Sequence, residues 1–164
     1  MLAERRRFLM LMNIKNILNI EGTAQDFHFS VPEEKLDFIK GYVFHTPVEV
    51  SGRIANHAGA VVLNMQIAFS LLVTCDRCLK ESVQEFSYQT EHLVVRFLND
   101  EENEENFIVA KAESIDIAEI AVADLLLELP SKMLCKEDCK GLCPVCGCDR
   151  NLTECNCMAK IEFE

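Results

Sequence analysis

The residues of this sequence that could do chemistry are its nine cysteines, eight of which form four close pairs. One to three residues separate the two cysteines of each pair. The pairs are Cys75 with Cys78, Cys135 with Cys139, Cys143 with Cys146, and Cys155 with Cys157. Zinc binds four thiolates in a tetrahedron, and a short spacer lets one turn of the chain present two sulfur atoms to the ion. The four pairs therefore predict two zinc ions, and Cys148 is left over.

Sequence distance suggests how the pairs combine. The two pairs nearest the C-terminus are close enough to form one local site of the short zinc-ribbon kind. Cys75 and Cys78 then need a partner pair from elsewhere, and Cys135 with Cys139 is the pair that remains. Cys139 could instead join the terminal site, so the sequence leaves the grouping open.

Glycine and proline mark the turns that such sites require. Gly141 and Gly147 fall where the metal-binding loops must turn, and Pro144 stiffens the loop "CPVCG". The final Cys-x-Cys needs a bend, because alternate residues of a strand point to opposite faces. We assign this bend to Asn156.

Three other uses of cysteine fit the pattern less well. The spacing Cys139-x-x-x-Cys143-x-x-Cys146 is that of radical enzymes that use S-adenosylmethionine, but the chain is short and lacks their βα repeats. Cys75-x-x-Cys78 could be a redox dithiol, although it lies between two predicted strands rather than between a strand and a helix. Buried free cysteines act as small hydrophobic residues, which leaves the paired spacing unexplained.

No catalytic residue is predicted. His28, His45, His57 and His92 lie singly in strand-like segments, where we expect structural or exposed roles because the thiolates suffice as ligands. The sequence has no nucleophile elbow and no glycine loop of the kind that holds phosphate. We therefore predict no enzyme activity and no small-molecule substrate.

The charge of the chain limits its partners. There are 16 basic and 27 acidic residues, and the formal net charge is −11. Because nucleic-acid affinity depends on cations that neutralise phosphates, this balance favours a basic protein as the partner. The cations near the cysteines are Lys132, Lys136, Lys140 and Arg150.

The N-terminus "MLAERRRFLMLM" superficially resembles a signal peptide, because a short apolar run follows basic residues. Asn13 and Lys15 interrupt the apolar run soon after Met12, and no segment reaches the roughly 20 apolar residues of a membrane-spanning helix. We therefore expect a soluble cytoplasmic protein without a membrane contact. In a reducing compartment, cysteines are metal ligands or redox groups more often than disulfides.

Strands dominate the first two thirds of the chain. "DFHFSV" alternates polar and apolar residues, which places Phe27, Phe29 and Val31 on one face. The segment 42–74 reads as strands interrupted at Pro47, Gly52 and Gly59, and "SVQEFSYQTEHLVVRFL" supplies another strand after Cys78. Without helices between them, these strands are expected to be antiparallel. The acidic run 99–106 is expected to be a solvated loop.

Two helices are predicted. A short one over 13–20 has its apolar residues near one face, at Ile14, Ile17, Leu18 and Ile20. The main helix covers 115–128, with Ser114 as its N-cap, Asp116 near its positive end and Pro130 as its stop. Its apolar stripe is expected to pack on the sheet and consists of Ile115, Ala118, Val122, Leu125, Leu126 and Leu129.

The stretches "SLLVTCDRCLKESVQEF" and "ADLLLELPSKMLCKEDCKGLCPVCG" resemble the YceD family of large ribosomal RNA subunit accumulation proteins. The resemblance spans 12–157. Its most specific parts are the first cysteine pair with Leu79, the helix end "LLLELP" and the segment "CKEDCKGLCPVCG". The pairs at 75 and 78 and at 135 and 139 match the family, whereas 143–157 corresponds to an extension of only some members.

The resemblance implies ribosome biogenesis, because the family is associated with accumulation of the large-subunit ribosomal RNA. It identifies no reaction, so we expect a non-enzymatic factor. The acidity of the chain favours action through a ribosomal protein, another biogenesis factor or a ribonucleoprotein. One alternative is a direct RNA-binding zinc protein, with Lys140 and Arg150 as minor contacts. The other is a thiol oxidoreductase that uses Cys75 and Cys78.

These patterns together predict an α+β protein. An antiparallel sheet, or an open barrel-like sheet, carries one main covering helix and a small C-terminal zinc-ribbon-like module. We expect the α+β domain over 12–134 and the cysteine-rich module over 135–157. Residues 1–11 precede the usual start of the family and are interpreted as an extension or an alternative start, so Arg5–Arg7 are assigned no function.

Overall fold

The computed structural model describes residues 9–97 and 107–157, and its largest element is a β-sheet. The six strands of this sheet are β2 (Ala24–Val31), β3 (Val43–Phe44), β4 (Val48–His57), β5 (Ala60–Thr74), β6 (Glu81–Val95) and β7 (Phe107–Val109). They lie in the order β2-β4-β5-β6-β7, and β3 pairs with β5 beside that path. All pairs are antiparallel except β6 with β7, which is parallel.

Four short elements and one longer helix complete the fold. They are β1 (Leu11–Asn13), α1 (Lys15–Asn19), a 3-10 turn (Glu33–Lys35), β8 (Ser114–Asp116) and the helix α2 (Ile117–Glu128). β1 and β8 form a separate antiparallel pair. The fold class is confirmed as α+β, with an open, mostly antiparallel sheet, one main helix and a cysteine-rich C-terminal module.

One face of the sheet forms the core. Phe27, Phe29 and Val31 of β2 are buried, as their alternation predicted. The same period continues along β5, whose buried apolar residues are Val61, Leu63, Met65, Ile67, Phe69, Leu71 and Val73. Four apolar residues of the helix region, Ile117, Ala118, Ala121 and Leu125, belong to the same core cluster. The helix therefore covers the core face of the sheet. The opposite face is more exposed and mixes polar residues with apolar ones such as Leu72, Val83 and Leu93.

Gly52 and Gly59 were both predicted to interrupt strands, but only Gly59 does. Gly59 lies in the two-residue turn between these strands, with φ +91°. Gly52 was expected to interrupt a strand, but β4 continues through it. A Cβ atom at Gly52 would lie 2.2 Å from the Asn64 carbonyl oxygen and 2.6 Å from the Phe27 ring. This glycine therefore reflects close packing rather than a turn.

Helix α2 begins later than predicted, at Ile117, and its N-cap is Asp116 rather than Ser114. The Asp116 carboxylate accepts hydrogen bonds from the backbone N–H groups of Ala118 and Glu119. Ser114 cannot cap the helix because it belongs to β8, where it pairs with Asn13. The helix ends at Glu128, shortly before Pro130, as predicted.

Two apolar residues predicted to pack are exposed instead. Leu126 of α2 is 46 % exposed, whereas Ala121 of the same helix is buried. Ile20 is 54 % exposed and lies just beyond α1, whose Ile17 is buried. The stripe predicted for α2 thus included the exposed Leu126 and omitted the buried Ile117 and Ala121.

Several sequence predictions lie outside the described residues. These are the acidic loop 99–106 and the basic residues Arg5–Arg7. In the two described ranges, no helix has both the length and the apolar character to span a bilayer.

Candidate metal centres

Four cysteines from two distant segments meet at one end of the sheet. Cys75 and Cys78 lie in the turn between β5 and β6, and Cys135 and Cys139 follow α2; we call these four the hairpin cluster. The four sulfur atoms lie within 4.8 Å of one another. The Sγ–Sγ distances are 3.8 Å between Cys75 and Cys139 and 3.6 Å between Cys78 and Cys135. A zinc ion with Zn–S bonds of about 2.3 Å requires separations of about 3.8 Å, so the geometry fits a tetrahedral site.

The second segment of the hairpin cluster is held against the turn by backbone contacts. The N–H of Asp76 donates to the Met133 carbonyl oxygen at 2.8 Å. In return, the N–H of Met133 donates to the Asp76 carboxylate at 2.7 Å. Upstream, the Tyr42 hydroxyl donates to the Pro130 carbonyl oxygen at 2.9 Å. These bonds position the segment after α2, so that its cysteines reach the turn between the strands.

Backbone N–H groups favour a thiolate at Cys75. The N–H of Cys135, followed by those of Cys78 and Arg77, lowers the pKa of Cys75 to about 6 against the opposing effect of burial. The pKa of Cys135 is raised to about 12 by burial and by the neighbouring sulfur atoms. Four thiols this close cannot all ionise without a cation between them. The donor set therefore suits a soft divalent cation such as zinc.

The terminal cluster consists of Cys143, Cys146, Cys155 and Cys157, whose sulfur atoms also lie within 4.8 Å of one another. The N–H groups of Cys146 and Val145 lower the pKa of Cys143 to about 6. The sulfur of Cys146, together with burial, raises the pKa of Cys157 to about 12. As in the hairpin cluster, one cysteine has a lowered pKa and another has a raised one. A cation would be needed for all four thiols to ionise.

The first pair of the hairpin cluster lies in a compact turn with two backbone hydrogen bonds. The N–H of Cys75 donates to the Lys80 carbonyl oxygen at 2.9 Å. The N–H of Leu79 donates to the Cys75 carbonyl oxygen, also at 2.9 Å. The N–H of Lys80 in turn hydrogen-bonds to the sulfur of Cys78. Each cysteine of the pair therefore receives N–H donors from the residues that follow it in the turn, and Cys75 also receives one from Cys135.

The first pair of the terminal cluster lies in a turn with the same bonds. The N–H of Cys143 donates to the Cys148 carbonyl oxygen at 2.8 Å. The N–H of Gly147 donates to the Cys143 carbonyl oxygen at 2.8 Å. The N–H of Cys148 hydrogen-bonds to the sulfur of Cys146. The same two-cysteine turn therefore occurs twice in the chain.

The repeat explains the ninth cysteine. Cys148 occupies the place that Lys80 has in the first turn, where the residue contributes backbone groups. Its thiol lies beside Cys146 and Cys155, which raise its pKa to about 12. Cys148 therefore stands next to the terminal cluster without belonging to the group of four.

The two clusters are joined by Arg77 and Asn151, which the sequence analysis did not identify. Arg77 donates from its guanidinium to the Cys139 carbonyl oxygen at 2.7 Å, and its own carbonyl oxygen accepts from Leu142 at 2.9 Å. The Asn151 side-chain NH₂ lies 3.4 Å from the Cys139 sulfur, and its carbonyl oxygen accepts from the Lys140 N–H. No spacing rule identifies these residues, because their partners are distant in sequence.

The structure brings the eight predicted ligands together in the two groups that sequence distance suggested. Cys139 lies with the hairpin cluster and not with the terminal one. Gly141 and Gly147 both have φ +72°, as turn glycines should. Among the described residues, none of the histidines joins a cluster, and His92 instead contacts the Asp124 carboxylate at 2.7 Å.

The fold and these two centres define a class of protein: an α+β protein with two tetracysteine groups at one end of an open sheet. The family model described as large ribosomal RNA subunit accumulation protein YceD matches residues 63–163, which is more than half of the chain. The protein therefore belongs to the YceD family. The matched range begins in β5 and contains all nine cysteines.

One similar curated protein is "Uncharacterized protein YlbN" of Bacillus subtilis (strain 168). The two sequences are 29 % identical over 105 residues, which cover 63 % of this chain and 61 % of the relative. The similarity thus spans less than two thirds of the relative's length. No solved structure matches this chain.

Proposed function

We propose that the hairpin cluster and the terminal cluster each bind one zinc ion through their four cysteines. The support is the combination of tetrahedral sulfur spacing and N–H donors aimed at the sulfur atoms. Zinc would supply the positive charge that allows all four thiols to ionise, and its binding would stabilise the folded state. The zinc ions are structural in this proposal, because four protein thiolates fill the tetrahedral coordination.

The test is to purify the protein without chelator and to measure its metal content by mass spectrometry. We expect two zinc ions per chain, and we expect a chelator to remove them together with a loss of thermal stability. Iron in place of zinc would contradict this part of the proposal. So would a metal-free chain that unfolds at the same temperature as the purified one.

The protein then acts as a non-enzymatic, cytoplasmic factor in the biogenesis of the large ribosomal subunit. The family match carries this step, because the matching family is named for accumulation of the large-subunit ribosomal RNA. The net charge of −11 favours contact through a basic ribosomal protein or another biogenesis factor. The protein would support the ribosomal RNA by holding such a partner during assembly.

The experiment is to deplete the protein in its own cells and to quantify both ribosomal RNAs. We expect large-subunit ribosomal RNA to decrease relative to small-subunit ribosomal RNA, and a plasmid copy to restore it. A Cys75→Ser copy should fail to restore it, and a Lys35→Ala copy, changed at an exposed residue far from the cysteines in sequence, should succeed. An unchanged ratio of the two RNAs after depletion would contradict the function.

Direct RNA binding is the second candidate, because cations collect around the cysteines. Lys132, Lys136 and Lys140 are exposed, and Lys136 also contacts Asp138 at 3.7 Å. Lys80 and Lys136 both lie near enough to Asp149 to contribute to lowering its pKa, after the hydrogen bonds from Asn151. Lys80 follows the first cysteine pair of the hairpin cluster and Asp149 belongs to the terminal segment, so these two lysines lie near both clusters. RNA affinity that falls steeply with salt, and that Lys136→Ala with Lys140→Ala removes, would favour this candidate.

The thiol oxidoreductase has less support than either. Disulfide exchange needs an accessible thiolate, whereas Cys75 is 0 % exposed and Cys78 is 8 % exposed. We expect the zinc-loaded protein not to undergo thiol–disulfide exchange with a small aromatic disulfide. Exchange that Cys75→Ser abolishes while the protein stays folded would favour the oxidoreductase.

A further inference from the structure

Within the described residues, the main sheet has two outer edges: β2 forms one, and on the other side most of the outer edge of the long strand β6 has no partner strand. On one side, β6 pairs with β5 along residues 81–94. On the other side, β7 pairs only with Leu93–Val95. Residues 81–92 therefore present one row of unpaired backbone groups. Proteins usually shorten or cover such an edge, because it is a template for another strand.

The hydrogen bond between Val95 and Ala110 shows which backbone groups of β6 point away from β5. The Val95 carbonyl oxygen accepts the N–H of Ala110, on the side away from β5. Since backbone groups point alternately to the two sides of a strand in this pairing, every second residue before Val95 also points outward. Glu85, Ser87 and Gln89 therefore offer N–H and C=O groups to an incoming strand.

The two faces of this edge carry different side chains: three glutamates lie on the outer face, and two aromatic residues lie among polar residues on the core face. Glu81, Glu85 and Glu91 are exposed on the face away from the core, and none of them forms an ion pair within the described residues. On the core face, Phe86 and Tyr88 are only partly buried, although they pack against the core. An added strand could therefore place cations on one face and apolar residues on the other.

We propose that the open edge of β6 binds an extended, basic segment of a protein partner, which adds a strand to the sheet. This inference rests on the proposed function and names the surface through which the partner is held. Lysine or arginine at alternate positions of the segment would lie opposite the glutamates, and the residues between them would pack beside Phe86 and Tyr88. Backbone hydrogen bonds would supply affinity, and the charges would select the partner.

Charge also disfavours a second copy of this chain as the occupant of the edge. A second copy of this chain would bring a second row of glutamates to the same edge, and each copy has a net charge of −11. Like charges that face each other across two strands destabilise the pair. A basic segment removes this repulsion, whereas a second copy doubles it.

The probe is a ten-residue, end-capped peptide of alternating lysine and valine, tested on the full zinc-loaded chain by fluorescence anisotropy. We expect it to bind at physiological salt. The matched control is the same peptide with alternate backbone nitrogens methylated, which removes hydrogen-bond donors and keeps the charge. Because strand addition needs those donors, we expect the methylated peptide to bind at least roughly tenfold more weakly. Equal binding of the two peptides, or no binding of either, would overturn the proposal.

Substitutions in the protein test the same edge with the peptide unchanged. Gln89→Pro removes an outward N–H without removing a bond to β5, and we expect the peptide to bind roughly tenfold more weakly, while Gln89→Ala binds it normally. Glu85→Gln combined with Glu91→Gln should weaken binding several-fold and reduce its salt dependence. Glu34→Gln, an exposed change outside the sheet, should alter neither. If Gln89→Pro fails to fold, binding of the two peptides to the unmodified chain decides whether the proposal holds.

Two further measurements separate this inference from the proposed function. Sedimentation of the chain alone should give a monomer; a dimer that Gln89→Pro dissociates would assign the edge to a second copy and overturn the basic partner. In depleted cells, the Gln89→Pro copy should fail to restore large-subunit ribosomal RNA. If it restores this RNA as well as the unmodified copy does, the edge proposal fails while the proposed function stands. If depletion itself changes nothing, the function fails.

Discussion

The hairpin cluster and the terminal cluster contain the same two-cysteine turn but connect very different lengths of chain. In the hairpin cluster, Cys78 and Cys135 are 57 residues apart in sequence, whereas the whole terminal cluster lies within 143–157. Three cysteines of the hairpin cluster are buried, and in the terminal cluster only Cys143 is. The same local chemistry thus serves two purposes: one centre ties the end of the helix segment to the sheet, and the other folds a short tail.

The largest expected difference is between Cys75→Ser and Cys146→Ser. Cys75→Ser should release one zinc ion and lower the Tm of the sheet by at least roughly 10 °C, because it opens a long loop and leaves a buried site incomplete. Cys146→Ser should also release one zinc ion, but with little change in that Tm. Zinc analysis and thermal unfolding followed by circular dichroism check both variants. An equal decrease in Tm for the two variants would contradict the claim that the hairpin cluster contributes more to the stability of the sheet.

The two turn glycines give a matched test of the packing between the clusters. Both have φ +72°, so a substitution strains the backbone by about 1–2 kcal/mol at either position. A Cβ at Gly141 would also lie 2.9 Å from the Arg77 carbonyl oxygen, whereas a Cβ at Gly147 meets nothing within 4 Å. We expect Gly141→Ala to destabilise the protein by about 2–4 kcal/mol and Gly147→Ala by about 1–2 kcal/mol, measured by urea unfolding. The reverse order would show that the clusters are not packed together.

Asn151 tests whether the clusters communicate. Asn151→Ala removes the NH₂ group beside the Cys139 sulfur, and loss of such a supporting hydrogen bond typically weakens metal affinity at least tenfold. We expect the hairpin cluster to lose zinc to a competing chelator about tenfold more readily, although Asn151 belongs to the terminal segment. Thr153→Ala, which removes a hydroxyl from the same segment, is the control. An effect confined to the terminal cluster would contradict the link.

The smallest expected effect is at Leu79, which takes the place that glycine has in the second turn. Leu79 has φ +59°, and its side chain is 64 % exposed. Leu79→Gly should relieve the strain and stabilise the protein by about 0.5–1 kcal/mol after the entropy of the glycine is deducted. Leu79→Ala keeps the strained conformation and should give no gain. Destabilisation by Leu79→Gly would mean that the leucine side chain makes the hairpin turn more stable, despite its exposure.

Features of the fold that depend on nearby residues were predicted correctly, and features that depend on residues distant in sequence were not. The alternation in "DFHFSV" predicted the buried face of β2, because the period of a strand is a local property of the chain. The N-cap of α2 was predicted wrongly at Ser114, because pairing with Asn13 holds that residue in β8. Gly52 was taken for a strand end, because its close neighbours Asn64 and Phe27 are remote in sequence.

The candidate sites divide in the same way. The four cysteine pairs and the two turn glycines could be identified from spacing, because each turn is closed by residues within six positions of one another. The grouping of Cys139 stayed open, because either cluster lies within reach of its side chain along the sequence. Arg77 and Asn151 were not identified, since their hydrogen bonds to the Cys139 region cross between segments.

The sequence by itself determined which residues can bind metal, which segments are strands and how acidic the chain is, because these depend on residue type and local period. Only the tertiary structure decided which four sulfur atoms lie together, which residue caps α2 and which strand edges have no partner among the described residues. Those outcomes depend on contacts between segments far apart in the chain, and the energy of such a contact depends on the packing of the whole fold.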